Sequence, residues 1–275
     1  MVGAASPTFF NPTYQNMTPK FKYHNILVNG QETIPGKPLY RDSPSSKRIT
    51  DFLCTRYNWA KRDRVRILDL GPLEGGHAAE LVRLGFTVTC IEGREENCLK
   101  LRWLKETLGA ERLHIIHDDV WNIHKYGQFD VVLCAGLLYH LDRPAEFLNV
   151  ISYYAKDVLI LSTHYCEIKD ARYDFAPGLN IVKRRLYKTF PFLFSRQYFG
   201  LSTIDWNEVH PGRWLTEFKK DGDSEKLLAS AITNHRSFWL TLDSLNKLIL
   251  LNGFKIKDCM DYHKTSIALY IVTRE

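Results

Sequence analysis

Three acidic residues stand where an apolar run of the sequence ends, and their order suits a nucleoside ligand. Asp69 is the last residue but one of the run RILDL, Glu92 closes FTVTCIE, and Asp119 follows RLHIIHD. If these runs are neighbouring parallel strands, their carboxyl ends meet at the edge of the sheet where such folds bind ligands. Glu92 follows Gly71 by about 20 residues, the spacing at which a carboxylate can accept both hydroxyls of a ribose. The pattern therefore predicts a site for an adenosine-containing ligand.

The pair Asp118 and Asp119 has two interpretations. The Asp119 carboxylate could accept a hydrogen bond from the adenine amino group, while the amide of Val120 donates to the ring. Alternatively, both acids only cap the helix that follows, because Asp is a favoured N-cap residue. The residues alone leave both interpretations open.

The turn GPLEGG after the first strand indicates which adenosine ligand is favoured. A dinucleotide fingerprint places Gly where this chain has Leu73, so that backbone amides can approach the pyrophosphate. Leu73 blocks that approach, and we expect the neighbouring carboxylate of Glu74 to repel a diphosphate. Gly71 and Gly75 still permit a tight turn. A ligand that carries a sulfonium and an ammonium group would tolerate Glu74, so the turn favours such a ligand over a dinucleotide.

Two histidines that follow predicted strands are candidate general bases. His140 lies in GLLYHLDRP after the fourth strand, and His164 ends the fifth strand, DVLILSTH. An oxygen nucleophile usually needs a base, and His suits that role near neutral pH. His164 is slightly favoured because the fifth strand is expected to border the pocket for the acceptor, the second substrate that reacts with the bound ligand. Either histidine could instead hydrogen-bond a loop backbone, and Tyr139 could line the pocket or contact the cofactor.

The segment after His164 is expected to bind the acceptor. Arg213 in HPGRWLTEF could bind an acceptor carboxylate or phosphate through two parallel hydrogen bonds, or form a surface salt bridge with Glu217. The other side chains predicted to contact the acceptor are aromatic or amide groups: Tyr139, Tyr165, Trp214, Asn234 and Trp239.

The block IVKRRLYKTFPFLFSRQYFG mixes basic and aromatic residues. Its cations Lys183, Arg184, Arg185 and Lys188 could bind single-stranded RNA with the help of the aromatics. An amphipathic lid helix or a homodimer contact with a solvated basic face is the favoured alternative. A lid at this position would exclude water from the reaction.

Strand and helix patterns alternate along the middle of the chain, which predicts an α/β fold with a doubly wound, mostly parallel seven-stranded sheet. The last two strands, FKIKDCMDY and TSIALYIVT, are close enough to pair as a C-terminal antiparallel hairpin. We expect an N-terminal extension over the active site (1–45), the core (46–165), a lid or substrate-binding insertion after strand five (166–236), and a completion of the core sheet (237–275).

Composition restricts the class of protein without deciding the partner. The 275 residues are 45% hydrophobic and 25% charged, which is typical of a soluble globular chain, and the net charge of +6 permits an anionic partner without requiring one. No apolar run approaches the roughly 18 residues of a membrane span, and the N-terminus does not resemble a secretion signal. Six cysteines without a CxxC pair indicate reduced thiols, a cytoplasmic location and no metal site.

These motifs together resemble the class I S-adenosylmethionine-dependent methyltransferases. LDLGPLEGG resembles the first motif of that family, CIEGRE the second, HDDVWN the third and FDVVLCAGLLYHLDRP the fourth. The resemblance implies S-adenosyl-L-methionine as the cofactor and S-adenosyl-L-homocysteine as the product. It places the ten candidate cofactor residues at the strand ends, namely Asp69, Gly71, Leu73, Gly75, Glu92, Gly93, Asp118, Asp119, Val120 and Ala135.

A weaker resemblance concerns the tRNA wobble-uridine carboxymethyltransferases. It rests on GLLYHLDRP and on KYHNILVNGQETIPG near the N-terminus. The favoured function is nevertheless methyl transfer to an oxygen, or a nitrogen, of a small-molecule metabolite by in-line displacement. The alternatives are tRNA modification and, less favoured, a non-catalytic cofactor-binding subunit.

Overall fold

The computed structural model describes residues 18–166, 201–217, 228–262 and 266–274 of the chain. The basic and aromatic block that contains Lys183, Arg184, Arg185 and Lys188 lies outside these residues. The same is true of residues 1–17 of the predicted N-terminal extension and of the turn between the last two strands.

The seven predicted core strands are present in the predicted order, and five further strands occur among the described residues, two short ones near the N-terminus and three between residues 202 and 240. In chain order they are β1 (Leu27–Val28), β2 (Gln31–Glu32), β3 (Arg66–Leu70), β4 (Thr87–Glu92), β5 (Leu113–His117), β6 (Phe129–Ala135), β7 (Ala155–His164), β8 (Ser202–Trp206), β9 (Glu208–Thr216), β10 (Arg236–Leu240), β11 (Lys255–Tyr262) and β12 (Ile267–Thr273). The α-helices are α1 (Pro44–Arg56), α2 (Gly76–Arg83), α3 (Glu95–Leu108), α4 (Pro144–Tyr154) and α5 (Leu242–Leu251).

Seven of the strands form one sheet in the order β11-β12-β7-β6-β3-β4-β5. The strands β3 to β7 pair in parallel, and β12 pairs antiparallel with both β7 and β11. The predicted fold class, a mostly parallel seven-stranded α/β sheet with an antiparallel C-terminal strand, is confirmed. This order places the ends of β3, β4, β5 and β6 side by side at one edge, which is where the predicted site residues lie.

Both faces of the sheet are buried, which explains why its strands read as continuous apolar runs. Leu68 and Leu70 of β3 pack into one apolar cluster, and Ile67 of the same strand packs into the cluster on the opposite face. All three side chains are fully buried. Alternation along the strand therefore divides an uninterrupted apolar run between two cores.

Local signals define the ends of several helices. The side chain of Ser43 accepts from the Ser46 amide at the start of α1, and Thr241 caps α5 in the same way. Gly109 ends α3 in the left-handed conformation, with φ of 59°. No described helix is long and apolar enough to cross a membrane.

The described part of the insertion contributes a separate antiparallel sheet in the order β10-β9-β8. The amide of Phe238 donates to the carbonyl of Leu141 at 2.9 Å, which fastens this sheet beside the carboxyl ends of the core strands. Strand β10 crosses the predicted boundary between the insertion and the C-terminal part, which lies after residue 236. It pairs with β9 of the insertion and not with the core sheet. Within the described residues, the C-terminal completion of the core therefore begins at α5, capped by Thr241.

Candidate active site

A cavity of about 320 Å³ opens at the carboxyl edge of the core sheet. Its walls are the turn after β3, the ends of β4 and β6, the residues after β5, parts of the N-terminal segment, and residues 228–234 at the end of the insertion. Eight of the predicted cofactor residues line it: Asp69, Gly71, Leu73, Glu92, Gly93, Asp119, Val120 and Ala135. The described structure thus brings together side chains from four strand ends, as parallel pairing requires.

The glycine turn adopts a strained path that its residue types permit. Gly71, Leu73 and Gly75 all have positive φ, of 62°, 57° and 82°. Gly75 lies outside the cavity lining in the described structure and acts through the backbone, since it precedes the first turn of α2. A Cβ atom there would lie 2.6 Å from Leu101 Cδ2, so the position requires glycine for packing against α3 as well as for its conformation.

The prediction that Glu74 repels a diphosphate is wrong, because its carboxylate faces away from the cavity. The side chain is fully buried and accepts from Lys100 Nζ at 2.9 Å. The backbone amides of residues 22–24 also donate to it, at 2.8–3.1 Å. Burial raises the pKa of Glu74, but these hydrogen bonds outweigh it and hold the pKa below its ordinary value. Glu74 anchors the N-terminal segment, and only Leu73 restricts the turn itself.

Two aromatic rings of the N-terminal segment and one of α2 meet at the cavity, and no sequence motif predicted a role for them. His24 and Tyr40 lie 4.0 Å apart between ring centroids, and Tyr40 meets His77 of α2 at 4.9 Å. His24 Nδ1 accepts from the amide of Gly76, so a neutral His24 carries its proton on Nε2. Burial lowers the pKa of His24 to about 4 and that of His77 to about 3. Both imidazoles are therefore neutral polar groups at neutral pH. The Tyr-His pair in KYHNILVNG was the available signal.

Asp69 is nearly fully buried at the base of the cavity, and its Oδ2 has no hydrogen-bond partner among the described residues. Burial, together with the charge of Glu92, raises the pKa of Asp69 to about 7. A buried carboxylate without a partner is costly, so the position suits a ligand that brings a cation or a donor.

Glu92 is 5% exposed at the end of β4 and already accepts two backbone hydrogen bonds. Its Oε2 accepts from the Leu73 amide at 3.1 Å, and its Oε1 accepts from the Arg94 amide at 3.0 Å. Burial raises the pKa of Glu92, against the lowering effect of those hydrogen bonds. The two amides and the Asn97 side chain fix the orientation of the carboxylate, which keeps capacity to accept a further hydrogen bond from a ribose hydroxyl.

The two acids after β5 have different surroundings. Asp119 lines the cavity next to Val120, and its Oδ1 also accepts from the Trp121 amide at 2.9 Å. Both interpretations of Asp119, capping and ligand binding, are therefore compatible with its position. Asp118 lies outside the cavity lining of the described structure, and its carboxylate accepts from Tyr126 and Asn122 at 2.6 Å. Hydrogen bonds from these two groups lower the pKa of Asp118, which fits a structural contact.

Of the two candidate bases, only His140 lines the cavity within the described structure. Its Nδ1 lies 2.8 Å from Glu217 Oε2, and its backbone carbonyl accepts from Asn234 Nδ2 at 2.7 Å. Tyr139 and Asn234 line the same part of the cavity. Burial, followed by the charge of Glu217, raises the pKa of Tyr139 to about 12, so its hydroxyl is protonated at neutral pH.

His164, the base that the sequence slightly favoured, lies outside that lining. Its ring stacks on Trp239, with centroids 4.7 Å apart and planes inclined by 13°, and makes an edge-to-face contact with Tyr139, with centroids 4.6 Å apart. Trp239 is 8% exposed and also lies outside the lining. In the described structure these two rings pack against Tyr139, and of the two candidate histidines only His140 borders the cavity.

Three further predicted acceptor residues are also placed elsewhere in the described structure. Tyr165 is fully buried in the core, where its hydroxyl donates to Asp261. Trp214 packs on Phe238 at 5.1 Å within the small sheet. Arg213 lies on β9 opposite Trp239 and is 7% exposed, so the predicted surface salt bridge with Glu217 does not describe it. These side chains are buried or half-buried where the β10-β9-β8 sheet and the core pack, and they do not line the described cavity.

Residues 228–234 extend along the cavity between its two ends. Arg94 Nη2 donates to the carbonyls of Ser230 and Ala231, at 3.1 and 2.9 Å, beside the end of β4. The side chain of Ile232 packs directly over Gly93. Near His140, the same segment contributes Asn234. No cluster of three or more metal-binding side chains occurs among the described residues.

Comparison with known proteins assigns this cavity to a family. Residues 68–157 match the model of a methyltransferase domain, and that range includes the carboxyl ends of β3, β4, β5 and β6. The chain contains a class I S-adenosylmethionine-dependent methyltransferase domain. S-adenosyl-L-methionine is the methyl donor of such a domain, as the strand-end motifs predict. No protein of curated function matches the sequence.

Solved structures support the fold of the methyltransferase over nearly the whole chain. The N-terminal domain of EvdMO1 with SAH bound is 21% identical, with a TM-score of 0.60, and the match covers 96% of this chain and 93% of that one. The same domain in the presence of SAH and D-fucose is 22% identical, with the same coverages and a TM-score of 0.59. At this identity the likeness concerns the fold, including the elements outside residues 68–157.

Proposed function

We propose that this methyltransferase moves a methyl group to a hydroxyl oxygen of a small-molecule metabolite, with His140 as the general base. The single observation that carries the proposal is the His140–Glu217 pair, which lines the same cavity as Asp69, Glu92 and Asp119. A hydroxyl must lose its proton on methylation, whereas the sulfonium already activates the methyl carbon. A histidine held by a carboxylate is suited to take that proton.

The residues present fit the cofactor. Asp69, a buried carboxylate whose Oδ2 lacks a partner among the described residues, would hold the positively charged methionine portion. Glu92 would bind the ribose hydroxyls, and Asp119 with Val120 would bind adenine at the opposite end. His24 and Tyr40 would close the methionine end from the N-terminal segment. The bound cofactor supplies a methyl carbon that is electrophilic because it is attached to a sulfonium.

The chain's own groups would then orient the acceptor and manage one proton. Tyr139 and Asn234 lie beside His140 and can hydrogen-bond a neutral, hydroxylated acceptor. As the acceptor oxygen gains the methyl group and the bond from that carbon to the cofactor's sulfur is broken, His140 Nε2 would accept the proton that the hydroxyl loses. Residues 228–234 and the N-terminal segment would exclude water from this step.

A small acceptor is supported by the walls of the cavity. Residues 228–234 and the N-terminal segment form part of its walls, and its described acceptor end carries Tyr139, His140 and Asn234. The EvdMO1 domain, which has the same fold, has been crystallised in the presence of a sugar, D-fucose. The tRNA alternative depends on Lys183, Arg184, Arg185 and Lys188, which lie outside the described residues, and the lid and homodimer hypotheses for that block stay predictions.

The proposal is tested in two steps. Calorimetry with S-adenosylhomocysteine and with NADH should show binding of the first alone, and tight binding of NADH alone would overturn the cofactor site. Release of S-adenosylhomocysteine is then measured with pooled hydroxylated metabolites, pooled amines, and unmodified tRNA at low salt. Turnover with the hydroxylated pool supports the proposal. Turnover confined to amines or to tRNA would contradict it.

Glu92→Ala is expected to weaken S-adenosylhomocysteine binding by at least about 1 kcal/mol, because charge-assisted hydrogen bonds to the ribose are lost. Calorimetry measures the affinity directly. Glu95→Ala is the matched control, since Glu95 is an exposed carboxylate three positions along the chain and outside the described cavity lining. An unchanged affinity in Glu92→Ala would mean that the ribose is bound elsewhere.

Binding of S-adenosylhomocysteine should strengthen as the pH rises through about 7, because ionised Asp69 attracts the ammonium group of the ligand. The pKa of Asp69 is raised to about 7, so the carboxyl is largely neutral below that pH. A cationic ligand favours the ionised form, and the loss in affinity approaches about tenfold per pH unit on the acid side. Asp69→Asn should flatten this dependence between pH 6 and 8. A pH-independent affinity in the wild type would exclude the contact.

A further inference from the structure

We infer that Glu217 is the positioning residue of the base. Its carboxylate holds His140 as the tautomer with the proton on Nδ1, which leaves the Nε2 lone pair as the acceptor of the substrate proton. The inference rests on the proposed function, since it assigns a partner to the base named there. Glu217 comes from the insertion, 77 positions from His140 in sequence, and no strand-end motif of the core includes it.

The position of the Glu217 carboxylate is fixed by backbone structure. Glu217 follows β9 directly, and its amide donates to the carbonyl of His235 at 2.9 Å, which continues the pairing of Thr216 with Arg236. The side chains of Glu217 and His140 are 9% and 18% exposed. A carboxylate held by a sheet and mostly removed from water is a better orienting group than a mobile surface acid.

The charge of Glu217 determines which partner donates. Burial raises the pKa of Glu217, but the hydrogen bond and charge of His140, with the hydrogen bond from the Ala231 amide, outweigh it and place the pKa below its ordinary value. An ionised carboxylate only accepts hydrogen bonds. The hydrogen bond of 2.8 Å therefore requires a proton on His140 Nδ1, and in the neutral ring this leaves Nε2 without one.

Other contacts orient the main chain and ring of His140, so Glu217 is left to set the tautomer. The His140 amide donates to Leu137 at 2.9 Å, and its carbonyl accepts from Asn234. The Tyr139 ring lies 4.2 Å from the imidazole. None of these three contacts involves a ring nitrogen of His140.

Glu217 also connects the base to residues 228–234. The oxygen that accepts from His140 accepts from the Ala231 amide at 3.3 Å, and Arg94 holds the neighbouring carbonyls. Since the Arg94 amide itself donates to Glu92, a short series of contacts joins the ribose carboxylate to the base. The Glu217 carboxylate therefore contacts both residues 228–234, through the Ala231 amide, and the Nδ1 atom of His140.

The inference is tested by nitrogen NMR of histidine-labelled protein saturated with S-adenosylhomocysteine, with the His140 signals assigned by their loss in His140→Asn. In the wild type, Nδ1 should carry the proton. In Glu217→Gln the ratio of the Nδ1-protonated to the Nε2-protonated form should fall about tenfold or more, since a charge-assisted hydrogen bond is lost. Glu208→Gln, an exposed acid on β9 that pairs with Lys247, is the control and should leave the ratio unchanged.

Each outcome decides the inference separately from the proposed function. A wild-type His140 with its proton on Nε2 would overturn it even if Glu217→Gln did not fold, and so would an unchanged ratio in a folded Glu217→Gln. Glutamine keeps the shape of the side chain and an oxygen for the Ala231 amide, so a purely structural role would leave the tautomer as it is. Failure to bind S-adenosylhomocysteine, or to turn over hydroxylated acceptors, would instead contradict the proposed function.

Discussion

Lys100→Met is expected to lower the free energy of unfolding by about 3–5 kcal/mol, because removing one partner of a buried ion pair leaves the other charge uncompensated. Lys100 Nζ lies 2.9 Å from Glu74 Oε1, and the two side chains are 2% and 0% exposed. Methionine preserves most of the aliphatic length and a similar helix propensity, so the lost charge is the main change. Denaturant unfolding of both proteins at one pH measures the difference.

The second ion pair of Lys100 provides the control for this prediction. Glu96 lies 3.3 Å from the same ammonium group, but its side chain is 55% exposed. Glu96→Gln should therefore cost no more than about 0.5 kcal/mol, as exposed helix pairs of this spacing do. Equal losses in the two variants would show that burial of the Glu74–Lys100 pair does not matter, and a loss below about 1 kcal/mol in Lys100→Met would contradict the argument.

Loss of Lys100 should also act on the active site through the N-terminal segment. The Glu74 carboxylate accepts hydrogen bonds from the backbone amides of residues 22–24. The N-terminal segment that contains these residues contributes His24 and Tyr40 to the cavity. A Glu74 that lacks its cation becomes easier to protonate and then accepts those amides less strongly. We expect faster proteolysis within residues 18–45 of Lys100→Met and weaker binding of S-adenosylhomocysteine. If Lys100→Met resisted proteolysis as well as Glu96→Gln does, the Glu74–Lys100 pair would not be what holds the N-terminal segment at the cavity.

The core of the fold could be predicted because its signals are local. Strands β3 to β6 are apolar runs that end beside an acidic residue or a glycine, and Gly109 ends α3 in the left-handed conformation. The strand-end residues Asp69, Glu92 and Asp119 followed from the same pattern, since parallel strands present their carboxyl ends at one edge. These features need no knowledge of how distant segments of the chain meet.

What the sequence did not reveal depends on contacts between segments far apart in the chain. Glu74 looked like a ligand-facing acid because its amide partners lie 50 to 52 positions earlier, in a segment without periodicity. His164 and Tyr165 looked equivalent to other strand-end residues, yet packing of the insertion on the core covers both. Glu217 was noticed only as a neighbour of Arg213, because nothing local indicates a histidine 77 positions away.

His140→Asn should reduce the rate of methyl transfer by about 10²–10⁴-fold, the range typical of a lost general base. The affinity for S-adenosylhomocysteine should change little, because the strand-end carboxylates that would bind the cofactor are untouched. The rate is measured in single turnovers, with bound S-adenosylmethionine and a hydroxylated acceptor from the screen, so that product release does not limit it. Asparagine is polar and compact, and it cannot accept the substrate proton near neutral pH.

The matched variant His164→Asn distinguishes this role from a supporting one. His164 stacks on Trp239 and meets Tyr139 by its edge, so its loss should loosen Tyr139 and reduce the rate by less than about tenfold. Its effect should appear mainly in the KM for the acceptor, whereas that of His140→Asn should appear in kcat. A larger loss of kcat in His164→Asn than in His140→Asn would reverse the assignment and return the base to the end of β7. An acceptor more acidic than an ordinary alcohol should narrow the gap between the variants, because it needs less help to lose its proton.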